Sequence, residues 1–284
     1  MKTRNNGLLL SFIGVLILSP DSLLIRLVNL DDLSLIFYRS ALPIVTILIF
    51  LIYNYQKSFL KSFYLIGVPG IIYAILYAIT HICFVYSIQN TAVANTLVLI
   101  ASAPIFAALF SVFILKEIPS LFTWIVILIA MFAMIIIGVG SFTTTGLYGD
   151  LMALIVAIGM GFSMVLVRLF KNKDLVPACL LGCLISALYA LPFGINFDLN
   201  NDQFVLILIM CLIILPIPFM IMTISPKFAP AHEVALIFLL ESVLGTTWVW
   251  FVIKEVPPFN TIIGGILLLG SVTIFIYQTT KKSN

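Results

Sequence analysis

Long apolar runs broken by short polar punctuation set the pattern of this chain. With Asp, Glu, Lys and Arg as the punctuation, the interval between Lys61 and Lys116 holds 54 residues and none of these charges. A membrane-crossing helix needs about 20 mostly apolar residues, so the interval predicts two spans, parted at Gln89-Asn90-Thr91. The charge-free runs 175–197, 203–226 and 256–280 each have the length of one span. The same rule applied throughout predicts ten helices, at 8–27, 33–53, 63–88, 93–114, 122–139, 147–168, 176–194, 203–222, 231–253 and 260–277. The runs are continuous, without the alternation of a β-barrel strand, so in lipid the backbone polar groups have to be satisfied inside helices. The first run follows Lys2 and Arg4 and leads into Asp21 and Arg26 with no small-x-small cleavage pattern, which reads as a retained span.

The pattern repeats. Phe113-Ile114-Leu115-Lys116-Glu117-Ile118-Pro119 matches Phe251-Val252-Ile253-Lys254-Glu255-Val256-Pro257, with four of seven positions identical and the others conservative, 138 positions apart. Leu24-Ile25-Arg26-Leu27 matches Leu166-Val167-Arg168-Leu169 at an offset of 142. The longer motif follows the fourth predicted span and again the ninth, giving two five-helix halves, 1–141 and 142–284. An odd number of spans per half forces the halves into opposite orientations. Inverted repeats of this kind are common in secondary transporters, whose substrate sites lie near mid-membrane between the halves. The expected fold is an all-α integral membrane protein of ten transmembrane helices in two inverted five-helix repeats.

These features resemble the EamA-type members of the drug/metabolite transporter superfamily. The resemblance rests on ten spans in two halves and on a Glu closing the fourth helix of each half, here Glu117 and Glu255, with Pro119 and Pro257 two positions on. It rests also on the Phe37-Tyr38-Arg39-Ser40-Ala41 run early in the second span, and on Glu241-Ser242 where the family has a Glu-Pro pair. The resemblance covers nearly the whole chain and implies a secondary transporter of a small metabolite or amphipathic compound.

Composition narrows the classes further. Apolar residues make up 63% and charged residues 9%, against about 25% charged in a soluble domain. This excludes a soluble enzyme, a nucleic-acid binder and a disordered chain. With the N-terminus placed in the cytoplasm, the inside segments hold ten Lys and Arg residues (Lys2, Arg4, Lys57, Lys61, Lys116, Lys171, Lys173, Lys227, Lys281 and Lys282), whereas the outside linkers hold Lys254 together with Asp31, Asp32, Asp198 and Asp202. Positive residues accumulate on the cytoplasmic side, so a multi-pass protein of the cell inner membrane with both termini cytoplasmic is expected. Cys83, Cys179, Cys183 and Cys211 all lie in apolar runs, which is the setting of packing residues. No phosphate-binding loop points to an ATP motor, and neither a His-Glu-x-x-His sequence nor a Cys/His cluster points to a metal or cofactor. A membrane-embedded enzyme would need clustered catalytic groups at one face, and a non-transporting scaffold would have no use for a central acid.

That acid is Glu241, one residue from the midpoint of the predicted ninth span. A charged side chain at mid-helix costs about 2.5–3.5 kcal/mol on insertion scales, so a cavity, a cation or a proton has to compensate it. Its repeat-mate 138 positions earlier is Ala103, so the acid belongs to a task rather than to the scaffold. Gly245 and Trp248 follow on its helix face and extend the candidate substrate site. Tyr73, Tyr77, His81 and Phe84 form an aromatic stripe on the third span, suited to a planar or cationic substrate or to plain helix packing. Asp21 and Arg39 lie at equal depth on adjacent spans and are expected to pair, in a structural, gating or coupling role, with Arg39 as an anion-binding residue the rival reading. Glu233 and its repeat-mate Asn95 mark the two mouths of one pathway. Glu117 and Glu255 close helices, where an acid opposes the dipole, and are expected to serve gating. The expected partners are a small-molecule substrate, the bilayer and a proton if Glu241 carries one.

Overall fold

The computed structural model describes residues 2–91, 93–138, 146–254 and 259–281, and the regular elements among them are all helical. In order they are α1 (Lys2–Leu18), α2 (Asp21–Val28), α3 (Asp32–Tyr55), α4 (Phe59–Asn90), α5 (Val93–Ile100), α6 (Ala103–Phe110), α7 (Leu121–Gly138), α8 (Leu147–Leu169), α9 (Val176–Ala190), α10 (Asn201–Ile209), α11 (Pro216–Met222), α12 (Ala231–Phe238), α13 (Leu240–Ile253) and α14 (Phe259–Lys281). Seven stretches among the described residues are long and apolar enough to cross a membrane. One of them, Asp32–Asn90, contains both α3 and α4, joined by a 3-10 turn at Gln56–Ser58. Two shorter apolar helices, Leu121–Ile137 and Ile262–Gln278, accompany them. Large apolar side chains stand exposed on nearly every long helix, Leu60, Tyr64, Phe113 and Phe259 among them. Such a surface needs lipid, and the protein is a multi-pass membrane protein.

Four predicted helices are broken where the sequence reads as continuous. The first parts at Ser19-Pro20, where proline has no N–H to give and the Ser19 hydroxyl donates to the Leu16 carbonyl at 2.9 Å. The fourth parts at Ala101-Ser102, with Pro104 at the start of α6 and the Ser102 hydroxyl donating to the Leu99 carbonyl at 2.6 Å. The eighth passes through a π-turn at Met210–Ile214 before Pro216 opens α11. The ninth parts at Leu239, where the Ser242 hydroxyl donates back to the Leu239 carbonyl at 2.7 Å. α4 is also kinked at Gly67, whose φ of 58° and ψ of −157° only glycine adopts without strain, two residues before Pro69.

Packing follows the small residues. α4 lies along α8 and α9, α3 along α9, α6 along α8, and α7 along α14. A Cβ on Gly161 would stand 2.8 Å from the backbone nitrogen of Ala107, and one on Gly182 would stand 2.6 Å from the Tyr77 ring. Close helix approach in lipid depends on such residues because no hydrophobic force drives helices together there. Lys116 and Lys254 both take left-handed backbone conformations, φ 58° and 63°, at the ends of their helices.

Candidate functional site

The breaks converge on one cavity. About 630 Å³ of space, part of it open to the surroundings, lies between α1, α2, α3, α4, α5, α8, α11 and α13. Three of the parted helices supply wall residues beside their breaks: Leu18 and Asp21, Ile100, and Glu241. Opening a helix exposes backbone dipoles and sets the next side chain in a first turn, and both Asp21 and Glu241 occupy first turns, where a carboxylate is favoured. The remaining wall is mostly apolar, with Phe84, Leu97, Val156, Met160, Phe219 and Met222.

Asp21 and Arg39 form a two-toothed pair inside this wall. Arg39 Nη1 donates to Asp21 Oδ1 at 2.6 Å and Nη2 donates to Oδ2 at 3.0 Å. The two side chains are 2% and 1% exposed. The guanidinium also stands 5.6 Å from the Phe84 ring centre, a cation–π contact. Its Nε–H is buried with no partner among the described residues. Glu241 has neither a hydrogen bond nor an ion pair to any described residue.

His81 and Tyr77 complete the polar part. Their rings stack at 6.2 Å between centres, and Tyr77 meets Phe219 edge-on at 5.3 Å. His81 Nδ1 lies 3.2 Å from the Ser40 hydroxyl, and its Nε2 is buried without a partner among the described residues. Of the aromatic stripe on α4, Tyr77, His81 and Phe84 reach the cavity, whereas Tyr73 does not line it and is buried, together with the inner side of Tyr77, in the core that holds Cys179 and Cys183.

The other predicted site residues lie elsewhere. Gly245 and Trp248 face the break in the first helix instead of the cavity. A Cβ on Gly245 would meet the Ser22 hydroxyl at 2.6 Å, and Trp248 Nε1 donates to the Ser19 hydroxyl at 2.9 Å. Asn95 is fully buried and donates to Thr91 Oγ1 at 3.3 Å, which in turn donates to Asp150 at 2.8 Å. Glu255 lies outside the described residues.

Glu117 and Glu233 meet at a second opening, a vestibule of about 1180 Å³ that shares no lining residue with the cavity. Glu117 Oε1 receives Arg168 Nε at 3.1 Å and Nη2 at 3.0 Å. Glu233 is held by Arg4, whose Nε donates to Oε2 at 3.0 Å and whose Nη2 pairs with Oε1. His232 lines the same opening, with Nδ1 unpartnered. Arg4, Arg168, Thr80 and the α8 residues Val156 and Met160 line these openings without having been expected as site residues from the sequence. The match of Arg168 with Arg26 was a visible signal for one of them, whereas nothing in the spacing distinguished Val156 or Met160 from other packing residues.

Comparison with known proteins agrees with this architecture. The sequence profile described as "EamA-like transporter family" matches residues 5–139 and again 147–277. The pseudopaline exporter CntI of Pseudomonas aeruginosa strain PAO1 is 24% identical over 98% of this chain and 97% of its own. The uncharacterized transporter YdfC of Bacillus subtilis strain 168 is 26% identical over 79% of this chain and 74% of its own. A crystal structure sharing 17% sequence identity superposes with a TM-score of 0.79 over 95% of this chain and 98% of that one, which shows a common fold. With the family profile matching each half once and the two matches together covering nearly its full length, this chain belongs to the EamA-like transporter family and is a membrane transporter of a small molecule, not an enzyme.

Proposed function

We propose that the protein is a secondary transporter that moves a small amphipathic compound by alternating access, and that Glu241 receives the cationic group, whether of the substrate or as a proton. The observation that carries this reading is the unpartnered Glu241 carboxylate in a cavity whose wall draws on both halves of the chain. An acid in lipid without a partner has no structural return for its desolvation. Ten spans in two inverted halves, 1–141 and 142–284, supply the moving parts. In this scheme the broken pairs α1–α2, α5–α6, α10–α11 and α12–α13 each cross once, α3, α4, α8 and α9 cross singly, and α7 and α14 are the fifth span of each half. Three observations support the repeat: the family profile fits twice, the breaks at Ala101 and Leu239 stand 138 positions apart, and Lys116 and Lys254 end their helices in the same left-handed conformation.

In this reading Tyr77 and His81 line the substrate path. Gly245 and Trp248 act from behind the wall by holding the break beside Asp21, Tyr73 backs Tyr77, and Asn95 belongs to the mouth opposite Glu233. Glu117 and Glu255 close the two ends in alternation. The charge bias supports cytoplasmic termini in the cell inner membrane, and the export activity named for the P. aeruginosa relatives supports transport of a small metabolite.

The test is Glu241→Gln. After a thermal-shift screen of purified protein has identified a substrate, counterflow is measured in proteoliposomes at several pH values. The variant is expected to fold and to lose transport or its pH dependence. Wild-type rates with an unchanged pH profile would leave Glu241 a buried structural acid. Separately, tags at both termini are expected to stay unlabelled by an impermeant reagent on intact cells, and labelling of either would overturn the ten-span scheme.

A further inference from the structure

We infer that Asp21 sets the charge selectivity of the central cavity. By occupying both ends of the Arg39 guanidinium it leaves Glu241 as the unneutralised charge among the described wall residues, so the site takes an amine on an apolar body and rejects the amino acid built on the same body. The inference rests on the proposed role of Glu241 as the receiver of a cationic group.

Three charged side chains line the cavity: Asp21, Arg39 and Glu241. A zwitterion offers an ammonium and a carboxylate, and at first sight the cavity holds a partner for each. The geometry removes one of them. Both Arg39 Nη atoms are committed to Asp21, and Nη1 also lies 3.5 Å from Met210 Sδ. Of the five N–H groups of the guanidinium, Nε–H is shut off from solvent-sized space, which leaves the second N–H of Nη2, on a side chain that is 1% exposed. Phe84 stands against the guanidinium. An incoming carboxylate could make the two-toothed contact only by displacing Asp21, leaving one of two carboxylates unpaired in an apolar wall. Rejection by an unpaired buried charge is among the strongest forms of discrimination available to a site. An ammonium meets no such conflict: it faces a free carboxylate, with the stacked Tyr77–His81 pair, Phe84 and Phe219 around its apolar body.

The probes are 2-phenylethylamine and phenylalanine, which differ by the carboxylate. Binding to the purified full-length protein is measured by calorimetry and by thermal shift. The wild type is expected to bind the amine at least about tenfold more tightly than the amino acid, a difference of about 1.4 kcal/mol. Asp21→Asn releases Arg39 and is expected to reverse or abolish that preference. Asp21→Asn combined with Arg39→Gln removes both charges and is expected to restore the preference for the amine. Should Asp21→Asn alone fail to fold, the wild-type comparison and the double variant still decide the matter. Equal binding of both probes by the wild type, or a preference that survives in a folded Asp21→Asn variant, would overturn the role of Asp21. An amine that binds the wild type and Glu241→Gln equally well, or binds neither, would instead overturn the reading of Glu241 on which it rests.

Discussion

The central cavity and the vestibule use the same two residue types, arginine and a carboxylate, in opposite ways. In the cavity the Asp21–Arg39 pair is made within the first half of the chain and is almost wholly buried. In the vestibule Arg4 pairs with Glu233 and Arg168 with Glu117, so each pair ties the first half to the second, and each keeps a side chain 37% exposed. The difference teaches what each can do. A buried pair that loses its partner leaves an uncompensated charge and is costly to open. A pair with a half-exposed carboxylate, such as Glu117 with Arg168, exchanges its partner for water at little cost, whereas Glu233, 4% exposed, relies on Arg4. In the proposed alternating-access reading, pairs placed across the two halves open and close. The buried pair stays shut and shapes the site.

The sharpest way to break this comparison is to remove one member of the buried pair. Arg39→Gln is expected to destabilise the protein by about 3–5 kcal/mol, read as unfolding in detergent by denaturant or heat. Combined with Asp21→Asn, the loss is expected to fall well below the sum of the single losses, because the orphaned charge is gone. Additive losses would show that the buried pair is no more coupled than the exposed ones.

Next in size is the contact between α6 and α8. Gly161→Ala places a methyl group against the backbone of Ala107 and Ala103, which cannot step aside as a side chain would. A loss of about 1–3 kcal/mol in the same unfolding measurement is expected. An unchanged protein would mean that the halves are loosely packed beside the cavity as well as at the vestibule.

The half-exposed pair of the vestibule is expected to matter little for stability and more for access. Arg168→Gln should cost about 1 kcal/mol or less, whereas Arg4→Gln orphans the buried Glu233 carboxylate and is expected to cost more. An energy of about 1 kcal/mol shifts an equilibrium between closed and open forms about fivefold. A Thr80→Cys reporter in the cavity, in a background freed of native cysteines, is expected to react about fivefold faster in the Arg168→Gln protein with an impermeant thiol reagent from the vestibule side. Unchanged labelling together with a large loss of stability would make this pair structural. The smallest effect expected is that of Trp248→Phe, which removes one hydrogen bond to Ser19 and should cost about 1 kcal/mol or less in unfolding.

How much of this was written in the sequence depends on which physics each feature obeys. Apolar runs longer than about 20 residues fix a membrane helix almost by themselves, because in lipid the backbone has no other way to satisfy its polar groups. Long apolar helices, the duplicated Lys-Glu motif and the transporter class were therefore legible. So was the presence of an acid, Glu241, inside an apolar span, which is expensive in lipid wherever it sits. The breaks were only half legible. Pro20, Pro104 and Pro216 stand at three of the breaks, but at the fourth, Leu239, the Ser242 hydroxyl turns back to a carbonyl, a choice that a serine in a helix does not always make. That break moved Glu241 from mid-helix to a first turn.

Which residues share a cavity was decided by the tertiary structure alone. Helical spacing put Tyr73, Tyr77, His81 and Phe84 on one face, yet only the last three line the cavity, and Tyr73 is buried in the core that holds Cys179 and Cys183. Spacing likewise put Gly245 and Trp248 beside Glu241, yet α13 turns both toward Ser19 and Ser22. Arg4 and Glu233 are 229 positions apart and Glu117 and Arg168 are 51 apart, and no local pattern selects those partners. A sequence records the period and the polarity of each helix, which are properties of one segment. The side that meets a cavity, a neighbour or lipid is fixed by how the helices rotate against one another, and that is settled by packing between segments far apart in the chain.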